Sequence, residues 1–239
     1  RPELFWAHEM EGKGEHMSLN QYIDHTYLKP FATEADIVQK CSEAKKYHFA
    51  SVCVNPCNVP VAARELKGSD VHTCSVVGFP FGTHTTQVKV FEATQAIENG
   101  ADEIDMVINV GKLVEGNEEF VKQEVAALVE VCHSRGRILK VIIETCYLTE
   151  EQIGVMCRIV AETGADFIKT STGYGSRGAS YEDIALFKKY LKDAPVKMKA
   201  SGGIRTAEEA KKYVEMGCAR LGTSNGVGIM EGLEAADSY

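Results

Sequence analysis

Lys169 closes the run Asp166-Phe167-Ile168 and is followed at once by Thr170, Ser171, Thr172 and Gly173. An apolar run that breaks into hydroxyls and glycine reads as a buried strand delivering an amine to a polar rim. An unpaired ammonium is costly to bury, so a lysine there snorkels, pairs with a carboxylate, or serves as a reactive amine with a depressed pKa. Lys199 ends a comparable run, Val196-Lys197-Met198-Lys199, one helical segment later. If the two strands are neighbours, the ammonium groups stand about 6 Å apart. Their repulsion is then about 2.8 kcal/mol at an effective dielectric near 20, enough to give a lysine some free amine at neutral pH. A free amine is a nucleophile toward carbonyl carbon. Asp105, in Glu103-Ile104-Asp105-Met106-Val107, is the third ionisable group expected near a strand end. Two alternatives stand beside this reading: a structural ion network with Asp105 or Glu144, and Lys197, which shares face parity with Lys199, in the latter's place. Position nearer the strand end favours Lys199.

A second signal lies in three turns rich in glycine and hydroxyls: Thr170 to Gly173, Ala200-Ser201-Gly202-Gly203-Ile204, and Gly222-Thr223-Ser224-Asn225-Gly226. Glycine lets backbone N–H groups approach an anion closely, and three such loops together predict a phosphate site. The loop Gly78 to Thr86 contains His84, whose only histidine companion near a strand end is the distant His25. Metal ligation needs three or more donors, so Thr83 or Thr85 is read as a helix cap and no metal is expected. Asp24, His25 and Cys53 also fall near strand ends, without a diagnostic spacing.

The elements that must carry these residues repeat a plan. Strands are predicted to begin at Tyr22, Ala50, Val71, Asp102, Leu139, Asp166, Val196 and Ala219, each pair separated by a helical pattern. Thr33, Asn117, Thr149, Ser180 and Thr206 read as helix starts. The helix after Gly82 is predicted to turn Val88, Phe91 and Ile97 inward and to stop at Asn99-Gly100. Helix stops recur just before strands, as in Asn99-Gly100-Ala101-Asp102 and Thr163-Gly164-Ala165-Asp166. Eight βα units predict a single-domain (β/α)8 TIM barrel, and 239 residues suit one. An open doubly wound sheet is the alternative, but no Gly-x-Gly-x-x-Gly turn follows the first strand. The formal charge of -8 and pI near 5.5 argue against nucleic acid or an anionic membrane as partner. No apolar run is long enough to span a bilayer. Eight cysteines without a Cys-x-x-Cys pair suit a reducing compartment, and a cytoplasmic location is expected. Residues 1–16 are polar and lack periodicity, so they read as an expression leader or a disordered arm ahead of a domain over 17–239.

Taken together, Asp-Phe-Ile-Lys-Thr-Ser-Thr-Gly, Val-Lys-Met-Lys-Ala-Ser-Gly-Gly-Ile-Arg, Glu-Ile-Asp-Met-Val-Ile-Asn and Val-Val-Gly-Phe-Pro-Phe-Gly-Thr-His-Thr-Thr resemble the deoxyribose-phosphate aldolases, from about Leu19 to Asn225. The resemblance implies a class I aldolase that joins acetaldehyde and glyceraldehyde 3-phosphate reversibly into 2-deoxyribose 5-phosphate, without a cofactor. It implies that Lys169 forms the Schiff base, that Lys199 is the neighbouring cation and proton relay, and that Asp105 is the acid/base partner. Phosphate contacts carry over to Thr172, Gly173, Gly202, Gly203, Ile204, Gly222 and Ser224. Tyr174 departs from the family pattern of a basic or small residue. The resemblance also implies a homodimer, and a terminal Tyr239 that reaches the barrel mouth; a frayed tail is the plainer reading of those last residues. Another Schiff-base barrel and a phosphometabolite sensor remain open at this point. A sensor would have no need of a buried reactive amine.

Overall fold

Turn chemistry sets the order of elements. Thr33, Thr149, Ser180 and Thr206 each accept a hydrogen bond from the backbone N–H three residues on. The side chains of Asp36, Gln152, Asp183 and Glu209 in turn accept one from the cap's own N–H. Such reciprocal caps stabilise a helix start by about 1 kcal/mol each. The structure is a computed structural model that describes residues 18–233. The leader reading of residues 1–16 and the expectation for Tyr239 lie outside them.

The strands are β1 (Ile23–Tyr27), β2 (Ser51–Val54), β3 (His72–Val77), β4 (Glu103–Val107), β5 (Ile138–Ile142), β6 (Phe167–Lys169), β7 (Lys197–Ser201) and β8 (Cys218–Thr223). Each starts within one residue of the position expected from sequence. The helices are α1 (Glu34–Tyr47), α2 (Val59–Leu66), α3 (Thr86–Glu98), α4 (Val110–Val114), α5 (Glu118–His133), α6 (Glu150–Thr163), α7 (Tyr181–Leu191), α8 (Ala207–Glu215) and α9 (Gly226–Glu231). All neighbouring strands pair in parallel and β8 returns to β1, closing the (β/α)8 barrel. The short α4 was not anticipated; Asn109 caps it by accepting the Lys112 N–H at 3.1 Å.

Outward-facing strand residues such as Ile104, Leu139 and Ile168 pack against Val125, Leu128 and Met156 of the helices in one apolar shell. One helix face differs from expectation. Val88 and Phe91 of α3 are exposed, and the inner face is Lys89, Ala93, Ala96 and Ile97. Their i, i+4, i+7, i+8 spacing is helical, but a lysine occupies the first position because it bonds the backbone where β4 ends (Lys89 Nζ to Val107 O, 2.8 Å). Among the described residues no helix is long and apolar enough to cross a membrane. All eight cysteines are free; six are buried, Cys57 is exposed and Cys146 half-buried.

Candidate active site

Strand parity fills the barrel with charge instead of hydrocarbon. Parallel register sets Asp105 opposite Lys140, Lys169 opposite Lys199, and Lys199 opposite Arg220. Their side chains meet inside. Asp105 Oδ2 lies 2.6 Å from Lys169 Nζ and 2.8 Å from Lys199 Nζ, while Oδ1 lies 2.8 Å from Lys140 Nζ. Lys199 also pairs with Asp24 of β1. Glu103 takes Lys140 at 2.5 Å and Arg220 at 2.9 Å, and Arg220 reaches Asp24 at 2.6 Å.

Burial opposes every one of these charges, and the partners decide the outcome. Burial raises Asp105, but Lys140, Lys169 and Lys199 together hold it well below the usual carboxylate range. Asp24 is brought down to about 2 when Lys199, Arg220 and Lys140 outweigh its burial. Burial lowers Lys199, yet Asp105 and Asp24 hold it above its ordinary value. The expected activation by bare lysine–lysine repulsion is therefore corrected: the two ammonium groups share one carboxylate oxygen, and Lys199 is kept protonated. The estimate from sequence left out Asp24, Glu103 and Lys140. The ion network and the lysine pair turn out to be one arrangement.

Lys197 is not part of it. It sits at the other end of β7, exposed, with Nζ 5.6 Å from the centre of the Phe167 ring. Above the network lies a cavity of about 370 Å³. Of the seven charged groups in the network, Lys169 alone lines it. Thr172, Gly173, Gly202, Gly203, Ile204, Gly222 and Ser224, the residues expected around a phosphate, all line it as well. Close backbone packing explains some of the glycines. A Cβ at Gly178 would lie 2.2 Å from the Gly202 carbonyl oxygen, and one at Gly222 would lie 2.7 Å from Ser201 Cβ and 3.3 Å from Lys199 Cε. Thr172 departs from the expectation in detail, because its backbone N–H and its hydroxyl both donate to Glu144.

Sequence reasoning missed Glu103, Lys140 and Arg220, and gave Asp24 no role. Face parity could have found them, since Glu103 is two residues from Asp105 and Lys140 interrupts an otherwise apolar strand. It also missed Arg177 and Arg205, which line the cavity; Arg177 forks onto Asp183 at 2.6 and 3.0 Å. His25 is buried on the opposite face of β1, bonded to Glu43 at 2.7 Å, and His84 is exposed. Thr85, not Thr83, caps α3. Cys53, Cys74 and Asp105 bring three donor atoms within 4.8 Å of one another. They suit a metal poorly: both Asp105 oxygens are engaged by ammonium groups, and three such groups repel a further cation. The Cys74 thiol instead donates to Asp105 at 3.2 Å.

A lysine amine at a cavity floor, a carboxylate and a second ammonium beneath it, and a glycine-lined space have the geometry that Schiff-base chemistry on a phosphorylated carbonyl compound requires. Comparison with known proteins agrees. A Treponema denticola protein named deoxyribose-phosphate aldolase is 62% identical over 216 residues, 90% of this chain and 100% of the relative. One of the same name from Thermococcus kodakarensis is 52% identical over 214 residues, 89% of this chain and 95% of the relative. Among solved structures, the tetrameric deoxyribose phosphate aldolase of Aeropyrum pernix superposes with a TM-score of 0.83 at 32% identity, covering 89% of each chain. With the DeoC/LacD aldolase family matching over residues 18–236, this chain belongs to that family.

Proposed function

We propose that this protein is a class I deoxyribose-phosphate aldolase, reversibly cleaving 2-deoxy-D-ribose 5-phosphate to D-glyceraldehyde 3-phosphate and acetaldehyde through a Schiff base on Lys169. The observation that carries the reading is the position of Lys169. It alone joins the charged interior to the cavity, with Asp105 at 2.6 Å.

The Lys169 amine adds to the aldehyde carbon of the open-chain sugar, and loss of water gives an iminium. A proton leaves the C3 hydroxyl toward Asp105. The C2–C3 bond breaks, its electron pair moves to the iminium nitrogen, and glyceraldehyde 3-phosphate departs from an enamine. Lys199, held protonated, gives a proton through water to the enamine carbon and regains one from Asp105, whose Oδ2 it shares at 2.8 Å, and water hydrolyses the second iminium to acetaldehyde and free Lys169. The glycine-rich loops hold the phosphate through Gly173, Gly202, Gly203, Ile204, Gly222 and Ser224, with Arg177 and Arg205 as the positive charges of the wall. A barrel that only sensed a phosphometabolite would have no use for the lysine.

The test is mass spectrometry after acetaldehyde and borohydride. One irreversible ethyl group on Lys169 is expected, and a tryptic map placing it chiefly on Lys197 or Lys199 overturns the assignment. Product identification separates this aldolase from other Schiff-base barrels. Activity is expected to survive excess EDTA; complete loss restored by zinc would indicate a metal aldolase. The unpaired thiols suit work in the reducing cytoplasm. The exposed apolar side chains Phe81, Val88 and Phe91, at and before the start of α3, favour a homodimer that covers them. A monomeric mass by light scattering, unchanged in Phe91→Glu, counts against that state.

A further inference from the structure

Glu144 is a buried carboxylate that the reaction above does not use. It lies two residues beyond the C-terminal end of β5, the strand next to that of Lys169, 3% exposed, with a left-handed backbone (φ 54°) that non-glycine residues seldom adopt. Its oxygens accept the Thr172 backbone N–H at 3.2 and 3.3 Å and also the Thr172 hydroxyl. That hydroxyl oxygen accepts the Tyr174 N–H at 3.0 Å. Tyr174 then crosses to the far side of the mouth, where its hydroxyl donates to Leu28 O at 3.0 Å and its ring meets Phe79 edge-on at 5.5 Å. The loop is packed directly on the carboxylate: a Cβ at Gly175 would lie 3.3 Å from Glu144 Oε1 and 2.6 Å from Cys146 Sγ.

We propose that Glu144 is a positioning residue for the phosphate end of the site, acting through Thr172; the proposal rests on the aldolase reading. With both of its donors turned to Glu144, Thr172 is a bracket and not a phosphate ligand. It fixes the start of a loop whose Gly173, Gly175, Ser176 and Arg177 form one wall of the cavity. A carboxylate suits the task because both of its oxygens accept the Thr172 N–H while one also accepts the hydroxyl, whereas an amide has a single, uncharged acceptor oxygen for the same two donors. The departure at Tyr174 fits as well. A side chain tied to Leu28 and Phe79 braces the loop from outside while Glu144 holds it from within.

The experiment uses the full chain with Glu144→Gln, Thr172→Val and the double variant. It compares cleavage of 2-deoxyribose 5-phosphate with cleavage of unphosphorylated 2-deoxyribose, and borohydride trapping of acetaldehyde on Lys169. Glu144→Gln is expected to raise KM for the phosphorylated sugar roughly tenfold or more, the scale of a lost bond to a charged acceptor. The unphosphorylated sugar should change by less than about threefold, with trapping as in the parent. The double variant should be no worse than the worse single, because both act on one contact. Equal losses on the two sugars, an unchanged KM, or additive effects overturn the proposal. Where Glu144→Gln does not fold, Thr172→Val carries the same contrast. Absence of a Lys169 adduct in the parent would instead sink the aldolase reading, which keeps the two failures distinguishable.

Discussion

Among the described residues, two places bury lysine completely, and burial has opposite consequences in them. In the shell between α3 and α5, Lys89 Nζ meets a single carboxylate, Glu124, at 2.7 Å. Burial prevails there, taking Lys89 below and Glu124 above their ordinary values in spite of the partner. Inside the barrel burial loses, because Asp105 faces three ammonium groups and Lys199 two carboxylates. One opposite charge does not offset the loss of water; several converging ones do. The uses differ accordingly. Lys89 and Glu124 also bond Val107 O at 2.8 Å and the Asn109 N–H at 2.9 Å, which fastens the chain where β4 delivers Asp105. The shell pair holds backbone, and the interior network holds protons.

The largest effect that would break this division comes from matched leucines. Lys199→Leu should lower kcat by about 10³-fold, since it removes the proposed proton donor and leaves Asp105 to pair more fully with Lys169. Lys89→Leu should instead cost about 3–5 kcal/mol of stability, because it strands the Glu124 carboxylate, while kcat per folded molecule stays within about threefold of the parent. Urea unfolding and active-site titration by borohydride trapping measure the two sides. A comparable fall in kcat for both variants would mean that the shell pair is part of the chemistry. Lys199→Arg sharpens the point, as it keeps the charge but not a proton that can be given up. Activity near the parent's in that variant would show that charge alone suffices.

How far these differences were legible in the sequence depends on what pairs with what. Apolar runs and the helix stops before them located all eight strands to within a residue, since both are local signals. Asp105, Lys169 and Lys199 were singled out as strand-end residues; the structure bears this out for Lys169, which ends β6, whereas Asp105 and Lys199 are the middle residues of β4 and β7 and reach the same place by their inward parity. Partners were not legible. Asp24 comes from the first strand and Arg220 from the last, and only barrel closure brings them together. The lysine repulsion was misjudged because a pairwise estimate does not know that a carboxylate oxygen lies between. On α3, Val88 and Phe91 looked like the buried stripe, and the bonds of Lys89 to Val107 O and Glu124 explain why the helix turns another face inward.

Acid should separate the two regions by a smaller margin. Asp24, Glu103 and Asp105 all lie below their ordinary values in the folded protein. A carboxylate depressed on folding contributes stability that is whole above its unfolded pKa, near 3.9 for aspartate, and is lost as pH falls through the folded value. For Asp24 that window runs down to about 2 and is worth about 2 kcal/mol. Glu124 runs the other way: raised on folding, it favours the fold below its unfolded pKa, and that contribution is lost as pH rises through the folded one. Asp24→Asn should therefore flatten the acid limb of the stability curve, whereas Glu124→Gln should leave it at least as steep. Urea midpoints at a series of pH values read this directly. An acid limb unchanged in Asp24→Asn would remove the network as its source.

The smallest effect tests whether the shell transmits anything except position. Thr85 caps the helix that carries Lys89, accepting the Val88 N–H at 3.4 Å, and no acidic residue in the first turn supports it. Thr85→Ala removes that acceptor and should cost no more than about 1 kcal/mol, since the contact is long and solvent reaches the freed N–H. Lys89 lies one turn further on and is tied independently to Val107 O and Glu124, so fraying of the first turn should stop before it. With the end of β4 still fastened, Asp105 keeps its place between Lys169 and Lys199. Denaturation of Thr85→Ala should then show a small shift in midpoint, with kcat and KM for 2-deoxyribose 5-phosphate unchanged within error. A fall in kcat beyond about threefold would mean that a slight loosening of α3 reaches the ion network. The shell would then be tuning the chemistry and not only holding its strands.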